Sequence, residues 1–274
     1  MMSTPHRRVV PAAIIGLVLL SAAPAVAQGT SRTLVAVFAH PDDETSAAPV
    51  LARYAREGVQ VYLIIATDGA AGGSNTSIPR GPELARARAE EAACAATALG
   101  VKPPIMLGFP DAQLGNYAED PTRVYRLTQR IQEELQRLHP DALITWGLDG
   151  GTGHPDHRLV SSIVAQLVRA GAPGAPEHLF YSAIPVEGIR AMNPGRGEPP
   201  FLVPQAKYFT TRVPFTPADG DAAVRSMACH KTQYSPEVVE RISGVARRVL
   251  NGVLPLAPAF AADAGSDLFG PNKK

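Results

Sequence analysis

Short apolar runs alternate with longer segments of helical periodicity between residues 33 and 170, and this alternation most constrains the fold. Strand-like runs cover residues 34–38, 59–66, 105–107 and 141–146. Helical patterns cover residues 46–57, 82–99, 121–138 and 155–170. A strand followed each time by a helix predicts an α/β domain whose mostly parallel sheet is covered by helices on both faces.

The pattern is looser after residue 171. A fifth strand is predicted over 179–184, a proline-bearing extended loop over 185–206 and an edge strand over 208–213. Two helices are predicted over 217–231 and 236–250, followed by an irregular tail. Since no repeat or clear linker divides the chain, residues 28–274 are predicted to form a single domain.

The first 27 residues have the composition of a signal peptide. Arg7 and Arg8 precede an apolar run over 9–23, and Ala25-Val26-Ala27 offers a small-residue cleavage site. The apolar run is short for a membrane span of about 20 residues. We therefore expect an exported protein, periplasmic or secreted, with no stable membrane span after cleavage. An uncleaved anchor is the alternative, and the sequence does not distinguish general from twin-arginine export.

Composition narrows the range of partners. The formal net charge of +1 gives no reason to expect nucleic acid or an acidic membrane surface as a partner.

Cys94 and Cys229 lie in helical, alanine-rich segments, where either a disulfide or two small buried thiols would fit an exported protein. Neither cysteine has the spacing of a zinc-binding pair.

The predicted topology brings four polar loops together. Because ligands of open parallel sheets bind beyond the carboxyl ends of the strands, loops 40–44, 67–75, 108–116 and 147–157 are expected at one edge. The first reads His-Pro-Asp-Asp-Glu over 40–44, and the last contains His-Pro-Asp-His over 154–157. The candidate metal ligands in these loops are His40, Asp42, Asp43, His154, Asp156 and His157.

These residue types suit a catalytic zinc site, which usually has three protein ligands and one open position for water. Asp42 and Asp43 should point in different directions from a turn, so one can ligate while the other takes a proton from the metal-bound water. Of His154 and His157, one can bind the metal while the other faces a substrate carbonyl. Spacing alone does not decide which member of each pair has which role.

The two motifs resemble the signatures of the LmbE/PIG-L zinc deacetylases, and the resemblance spans roughly residues 33–235. Further similar positions are Arg88-x-x-Glu91 with Ala95 and Leu99-Gly100, Phe109-Pro110-Asp111, and His230-Lys231-Thr232-Gln233. The resemblance implies a Rossmann-like fold and a zinc-dependent amidase, although such a ligand set also accepts other divalent metals.

The resemblance also implies a division of roles among eight residues. The metal ligands would be His40, Asp43 and His157. Asp42 would be the general base, and His154 the oxyanion stabiliser or general acid. The substrate would be bound by Arg88, Asp111 and His230.

The function predicted is an exported zinc-dependent hydrolase that removes an N-acetyl group from an acetylated amino sugar or its conjugate. Its partner would be a small molecule, glycan or glycoconjugate, and no sequence feature indicates an oligomeric state. The alternatives are an amidase acting on another small acyl-amide or thiol conjugate, and a non-catalytic sugar- or metal-binding protein. The Asp42 carboxylate argues against the last, because metal binding alone needs no unligated carboxylate.

Overall fold

The computed structural model describes residues 1–2, 32–183, 186, 190, 204–260 and 265–269, and every structural statement below concerns them. The chain divides into units of residues 1–30 and 31–274, and the fold is that of the second. Nearly all of the predicted signal peptide, and most of the predicted loop at 185–206, lie outside the described residues. In the described part, no helix is long and apolar enough to cross a membrane.

Seven strands form one sheet in the order β3-β2-β1-β4-β5-β7-β6. The strands are β1 Thr33–Phe38, β2 Gln60–Thr67, β3 Ile105–Phe109, β4 Ala142–Trp146, β5 His178–Ser182, β6 Thr211–Pro214 and β7 Val253–Pro258. The first five strands in chain order pair in parallel, whereas β7 runs antiparallel to both β5 and β6. The predicted mostly parallel α/β sheet is confirmed.

Helices cover both faces of this sheet, as predicted. They are α1 Ala48–Arg56, α2 Pro82–Leu99, α3 Arg123–Leu138, α4 Pro155–Arg169, α5 Pro217–Cys229 and α6 Pro236–Leu250. Alternate residues of the central strand β1 pack into the cores on the two faces of the sheet, because successive strand side chains point to opposite faces. Leu34 and Phe38 pack with residues of α1, α2 and α5, whereas Val35 and Val37 pack with residues of α3 and α4.

The predicted apolar stripe of α3 faces the core. Leu127, Ile131 and Leu135 are fully buried, and their four-residue spacing places them on one side of the helix. The helix predicted at 46–57 begins later, at Ala48, because a short 3-10 helix over Asp43–Ser46 comes first. This 3-10 helix is functionally important, since it begins within the His-Pro-Asp-Asp-Glu motif.

The tail after residue 250 was wrongly predicted to be irregular. It forms β7, which lies between β5 and β6 and buries Leu254 and Leu256. The strand was missed because Pro255 and Pro258 lack an amide hydrogen for a sheet ladder and are uncommon inside strands. The predicted edge strand is also shifted, since a 3-10 helix at Ala206–Tyr208 precedes β6.

The two cysteines, whose state the sequence left open, form a disulfide. Cys94 of α2 and Cys229 at the end of α5 have Cα atoms 5.7 Å apart. The bridge therefore fixes the end of α5, from which the chain continues into residues 230–234.

We predict that replacing both cysteines with alanine lowers the free energy of unfolding by about 2–5 kcal/mol, because the bridge restricts the unfolded chain over a long loop. Urea titration would measure the change. As a control, a reductant should destabilise the wild-type protein by a similar amount and leave the double variant unaffected. Equal unfolding free energies for wild type and variant would contradict the prediction.

Candidate metal centre and active site

The loops after β1, β2, β3 and β4 meet at the carboxyl edge of the sheet and line a cleft of about 520 Å³. Seven of the eight residues assigned a role by family resemblance line this cleft: His40, Asp42, Asp43, Arg88, Asp111, His154 and His157. The exception is His230. The convergence of these loops follows from the parallel topology, as the sequence predicts.

The loop after β1 wraps around the carboxylate of Asp43. Its Oδ2 accepts hydrogen bonds from the backbone amides of Ala39 (3.0 Å) and His40 (2.9 Å). Asp42 has φ of 115°, a backbone conformation that residues with side chains rarely adopt. The two neighbouring carboxylates consequently face different partners, since Asp42 contacts Arg88 and Tyr234 while Asp43 contacts histidines.

Three potential ligand groups face one another at the base of the cleft. His40 Nδ1 lies 2.9 Å from His157 Nε2. The Asp43 carboxylate lies 3.1 Å from His157 Nε2 through Oδ1 and 3.8 Å from His40 Nδ1 through Oδ2. All three residues are buried.

The other nitrogen of each imidazole faces an acceptor. His157 Nδ1 lies 2.8 Å from the carbonyl oxygen of Gly150. His40 Nε2 lies 3.0 Å from Asp111 Oδ1 and 3.4 Å from Asp156 Oδ2. Ring protons on these outer nitrogens would leave His40 Nδ1 and His157 Nε2 as inward lone pairs, the arrangement that metal-ligating histidines usually have. The donor set therefore fits a divalent metal such as zinc.

Charge around His40 also favours a cation. Burial disfavours the charged imidazole, but hydrogen bonds to Asp111 and Asp156 and the charge of Asp43 outweigh burial and raise the pKa of His40 to about 10. Three carboxylates surround His40, so a positive charge at this point is favourable. Either a proton or a divalent cation can supply it. His40 also belongs to two further donor groups: one with His154 and His157, the other with Asp111 and Asp156.

The two adjacent aspartates differ in proton affinity. Burial raises the pKa of Asp42 to about 6, although the charge of Arg88 acts in the opposite direction. Burial would also raise the pKa of Asp43, but the charge and hydrogen bond of His157 outweigh it and hold that pKa well below the usual range. Asp43 is therefore the better anionic ligand and Asp42 the better proton acceptor.

Arg88 is positioned to orient the general-base candidate. Its guanidinium is buried and donates hydrogen bonds to Asp42 Oδ1 (3.0 Å) and to the carbonyl oxygens of Pro41 and Gly69. A Cβ on Gly72 would lie 2.6 Å from Arg88 Nη1, so the loop after β2 approaches this side chain very closely. Arg88 lines the cleft, as predicted for a substrate-binding residue, but most of its donors are used within the protein.

Tyr234 is a cleft residue that the sequence analysis missed. Its hydroxyl donates to Asp42 Oδ2 (3.1 Å), so Arg88 and Tyr234 hold opposite oxygens of the same carboxylate. Gln233 also lines the cleft and donates to the carbonyl oxygen of Gly72. The positions that resemble the family in this region are residues 230–233, and Tyr234 is the next residue in the chain.

Trp146 packs against the imidazole ring of His157. The two rings are stacked, with centroids 5.0 Å apart and an interplanar angle of 9°. Gly151 makes this packing possible, because a Cβ there would lie 2.3 Å from the indole ring and its φ is +65°. The glycine-rich start of the loop after β4 thus allows Trp146 to stack on His157 and helps to position that histidine.

His154 lies at the open side of the same group. It is the N-cap of α4, and its Nδ1 accepts the backbone amide of Asp156. Its ring centroid is 4.7 Å from that of His40 and 4.9 Å from that of His157. Burial and the charges of the two other histidines lower the pKa of His154. A partly exposed imidazole beside the ligands can reach a bound substrate.

The structure does not place His230 where the sequence analysis expected it. The residue is fully buried and does not line the cleft. Its Nε2 lies 2.7 Å from Glu44 Oε1, which also accepts the hydroxyl of Ser226. Glu44 Oε2 in turn accepts the backbone amide of Asp42 (3.2 Å). His230 is therefore connected through Glu44 to the loop after β1 and lies outside the cleft.

The chain is similar to known proteins in sequence and in fold. The family described as PIG-L: GlcNAc-PI de-N-acetylase matches residues 35–168 of the chain. The chain is 35% identical over 154 residues to a 1D-myo-inositol 2-acetamido-2-deoxy-alpha-D-glucopyranoside deacetylase of Nakamurella multipartita, covering 48% of this chain and 53% of the relative. The enzyme of the same name from Rhodococcus jostii is 31% identical over 159 residues, covering 52% and 54% respectively.

The chain thus spans about half the length of the curated relatives it matches. Among solved structures, N,N'-diacetylchitobiose deacetylase from Pyrococcus horikoshii is similar, with a TM-score of 0.62 and 84% of each chain covered. The sequence identity is only 16%, so this likeness shows a common fold.

We predict that the purified protein binds one divalent metal ion per chain and that His157→Ala and Asp43→Asn each abolish tight binding. Each change removes one of three converging ligands, and a catalytic zinc site usually has only three from the protein. Metal content by mass spectrometry and zinc titration by calorimetry would measure this. His139→Ala provides a control, because His139 lies at the end of α3, away from the cleft. Wild-type zinc affinity in both ligand variants would contradict the assignment.

Proposed function

We propose that the protein is a zinc-dependent N-deacetylase that hydrolyses the acetyl amide of an amino sugar or its conjugate. The observation that carries this proposal is the convergence of His40, Asp43 and His157 beside the separately held carboxylate of Asp42. The names of the two relatives support the substrate class, since both describe deacetylases of a 2-acetamido sugar linked to inositol.

The proposed metal ligands are His40, Asp43 and His157. When bound there, zinc would act as a Lewis acid towards the amide carbonyl and make water more acidic. The carboxylates of Asp111 and Asp156 beside His40, and the carbonyl oxygen of Gly150 beside His157, would keep these imidazoles oriented before any substrate arrives.

Asp42 is the proposed general base. It would take a proton from the attacking water as the new C–O bond forms, and the proton would pass to the amine nitrogen as the C–N bond breaks. Arg88 and Tyr234 fix both of its oxygens, which limits the positions the carboxylate can adopt. The products are acetate and a free amine.

His154 is proposed to face the substrate carbonyl. Its position at the open side of the ligand group suits a donor to the developing oxyanion or to the leaving amine. Asp111 is better suited to a supporting role, because it contacts His40 and accepts the amides of Ala71 and Gly72. Substrate contacts would then come from the neighbouring loops at 71–80 and 112–120.

We also propose that the protein is exported to the periplasm or secreted. The basic and apolar pattern of residues 1–27 supports this proposal, as does the Cys94–Cys229 disulfide, since such bonds persist in oxidising compartments. Mass spectrometry of the protein from its native host would test it by locating the expected cleavage after Ala27.

Asp42→Asn is expected to lower the rate of acetate release from N-acetylated glucosamine conjugates by about 100- to 10,000-fold, because it removes the general base. The variant should retain its metal. Glu90→Gln is a suitable control, because Glu90 is exposed on α2 and should not affect the rate. A chelator should abolish wild-type activity and zinc should restore it. Full activity in Asp42→Asn would refute the assignment of the base, and full activity after chelation would refute metal dependence.

Tyr234→Phe is expected to lower kcat by about 10- to 100-fold, the effect of losing one hydrogen bond to a charged group. Bound metal should be unchanged, because Tyr234 contacts Asp42 and none of the proposed ligands. Steady-state kinetics would separate this loss from a change in KM. Tyr208→Phe is the matched control, since Tyr208 is an exposed tyrosine outside the cleft. An unaltered kcat in Tyr234→Phe would show that the hydroxyl does not position the base.

A further inference from the structure

Glu44, Ser226 and His230 form a buried polar cluster that the proposed mechanism does not use. All three are at most 2% exposed, and none of them lines the cleft. Glu44 Oε1 lies 2.7 Å from His230 Nε2 and accepts the hydroxyl of Ser226 at 3.2 Å. Burial of a carboxylate is unfavourable unless it is paired and hydrogen-bonded, so these two residues of α5 and its end stabilise one oxygen of Glu44.

The other oxygen of Glu44 contacts the backbone of the proposed general base. Glu44 Oε2 accepts the amide of Asp42 at 3.2 Å. Asp42 has φ of 115° and ψ of −16°, and a residue keeps such a sparsely populated conformation only where its surroundings hold it. Thr45 Oγ1 holds the other end of the same residue by donating to the carbonyl oxygen of Asp42 (2.7 Å). The amide and the carbonyl oxygen of Asp42 thus each have a side-chain partner.

His230 is also connected to Asp42 by a second route. Its carbonyl oxygen accepts the amides of Gln233 (3.0 Å) and Tyr234 (2.9 Å), which turns the chain after α5. The hydroxyl of Tyr234 then donates to Asp42 Oδ2. The position of His230 therefore affects both the backbone and the carboxylate of Asp42.

We infer that Glu44 and His230 are positioning residues for Asp42: the imidazole holds the Glu44 carboxylate, which in turn holds the amide of the proposed base. This inference rests on the proposed deacetylase function and adds two residues on which its rate depends. A buried ion pair is by itself weak evidence for stability, because apolar replacements are often equally stable. The contact with the Asp42 amide gives this pair a role that apolar residues could not fill. Since neither residue lines the cleft, their loss should affect kcat and leave KM unchanged.

A double variant separates positioning from structural support. Glu44→Met combined with His230→Leu keeps the approximate size of both side chains and leaves no buried charge unpaired, so it should fold as stably as the wild type. Its kcat for acetate release from N-acetylated glucosamine conjugates should fall by about 10- to 100-fold, the effect of losing one hydrogen bond to a charged group. Its KM and its metal content should be unchanged. Wild-type kcat in the folded double variant would overturn the inference.

Two single variants at His230 test the contact between the imidazole and Glu44. His230→Gln supplies an amide nitrogen that can still donate to Glu44, and should keep most of the wild-type kcat. His230→Leu removes the donor and should lower kcat; if it does not fold, the double variant replaces it in the comparison. His139→Leu is the control, because His139 is exposed at the end of α3. Equal losses of kcat in the glutamine variant and its comparator would overturn the inference, as would a raised KM with unchanged kcat.

Failure of the inference and failure of the proposed function give different results. Acetate release at the same kcat by wild type and double variant would overturn the inference and leave the function intact. Acetate release from none of the conjugates by the wild type would overturn the function, and hydrogen exchange would then decide the inference. The Asp42 amide, followed by NMR, should exchange about tenfold or more faster in the double variant, because it has lost its acceptor. Equal exchange rates would overturn the inference.

Discussion

The carboxylate of Asp43 is the interaction on which the site depends. It closes the loop after β1 by accepting two backbone amides, and it meets His157, which comes from the loop after β4. Because β1 and β4 are neighbouring parallel strands, this contact spans adjacent strand ends. The same group thus shapes its own loop, joins it to a second loop and completes the set of three proposed metal ligands.

Much of this could be predicted because it depends on local sequence and topology. The apolar run of β1 predicts a buried central strand, and parallel pairing then places His40 and His157 at one edge. Tyr234 could not be found in this way, because its contact with Asp42 depends on how α5 ends and turns. β7 was missed for a different reason, since its prolines conceal a strand whose partners lie far away in sequence.

Seven of the eight residues singled out by family resemblance line the cleft, whereas His230 is buried outside it. A helical histidine near the end of α5 can reach either a cleft or the interior, and spacing does not distinguish the two. The interior partner of His230 is Glu44, whose buried carboxylate lies 2.7 Å from the imidazole. Glu44 also accepts the amide of Asp42, so the buried pair helps hold a backbone conformation that aspartate rarely adopts.

Helix α2 connects these features. Residues three apart lie on the same side of a helix, and α2 uses three such positions to hold the chain around Asp42. Arg88 bonds its carboxylate directly, Glu91 accepts the amide and hydroxyl of Thr232, and Cys94 is bonded to Cys229. The last two contacts fix the segment that carries Tyr234. Both oxygens of the proposed base are thus held by groups anchored to one helix.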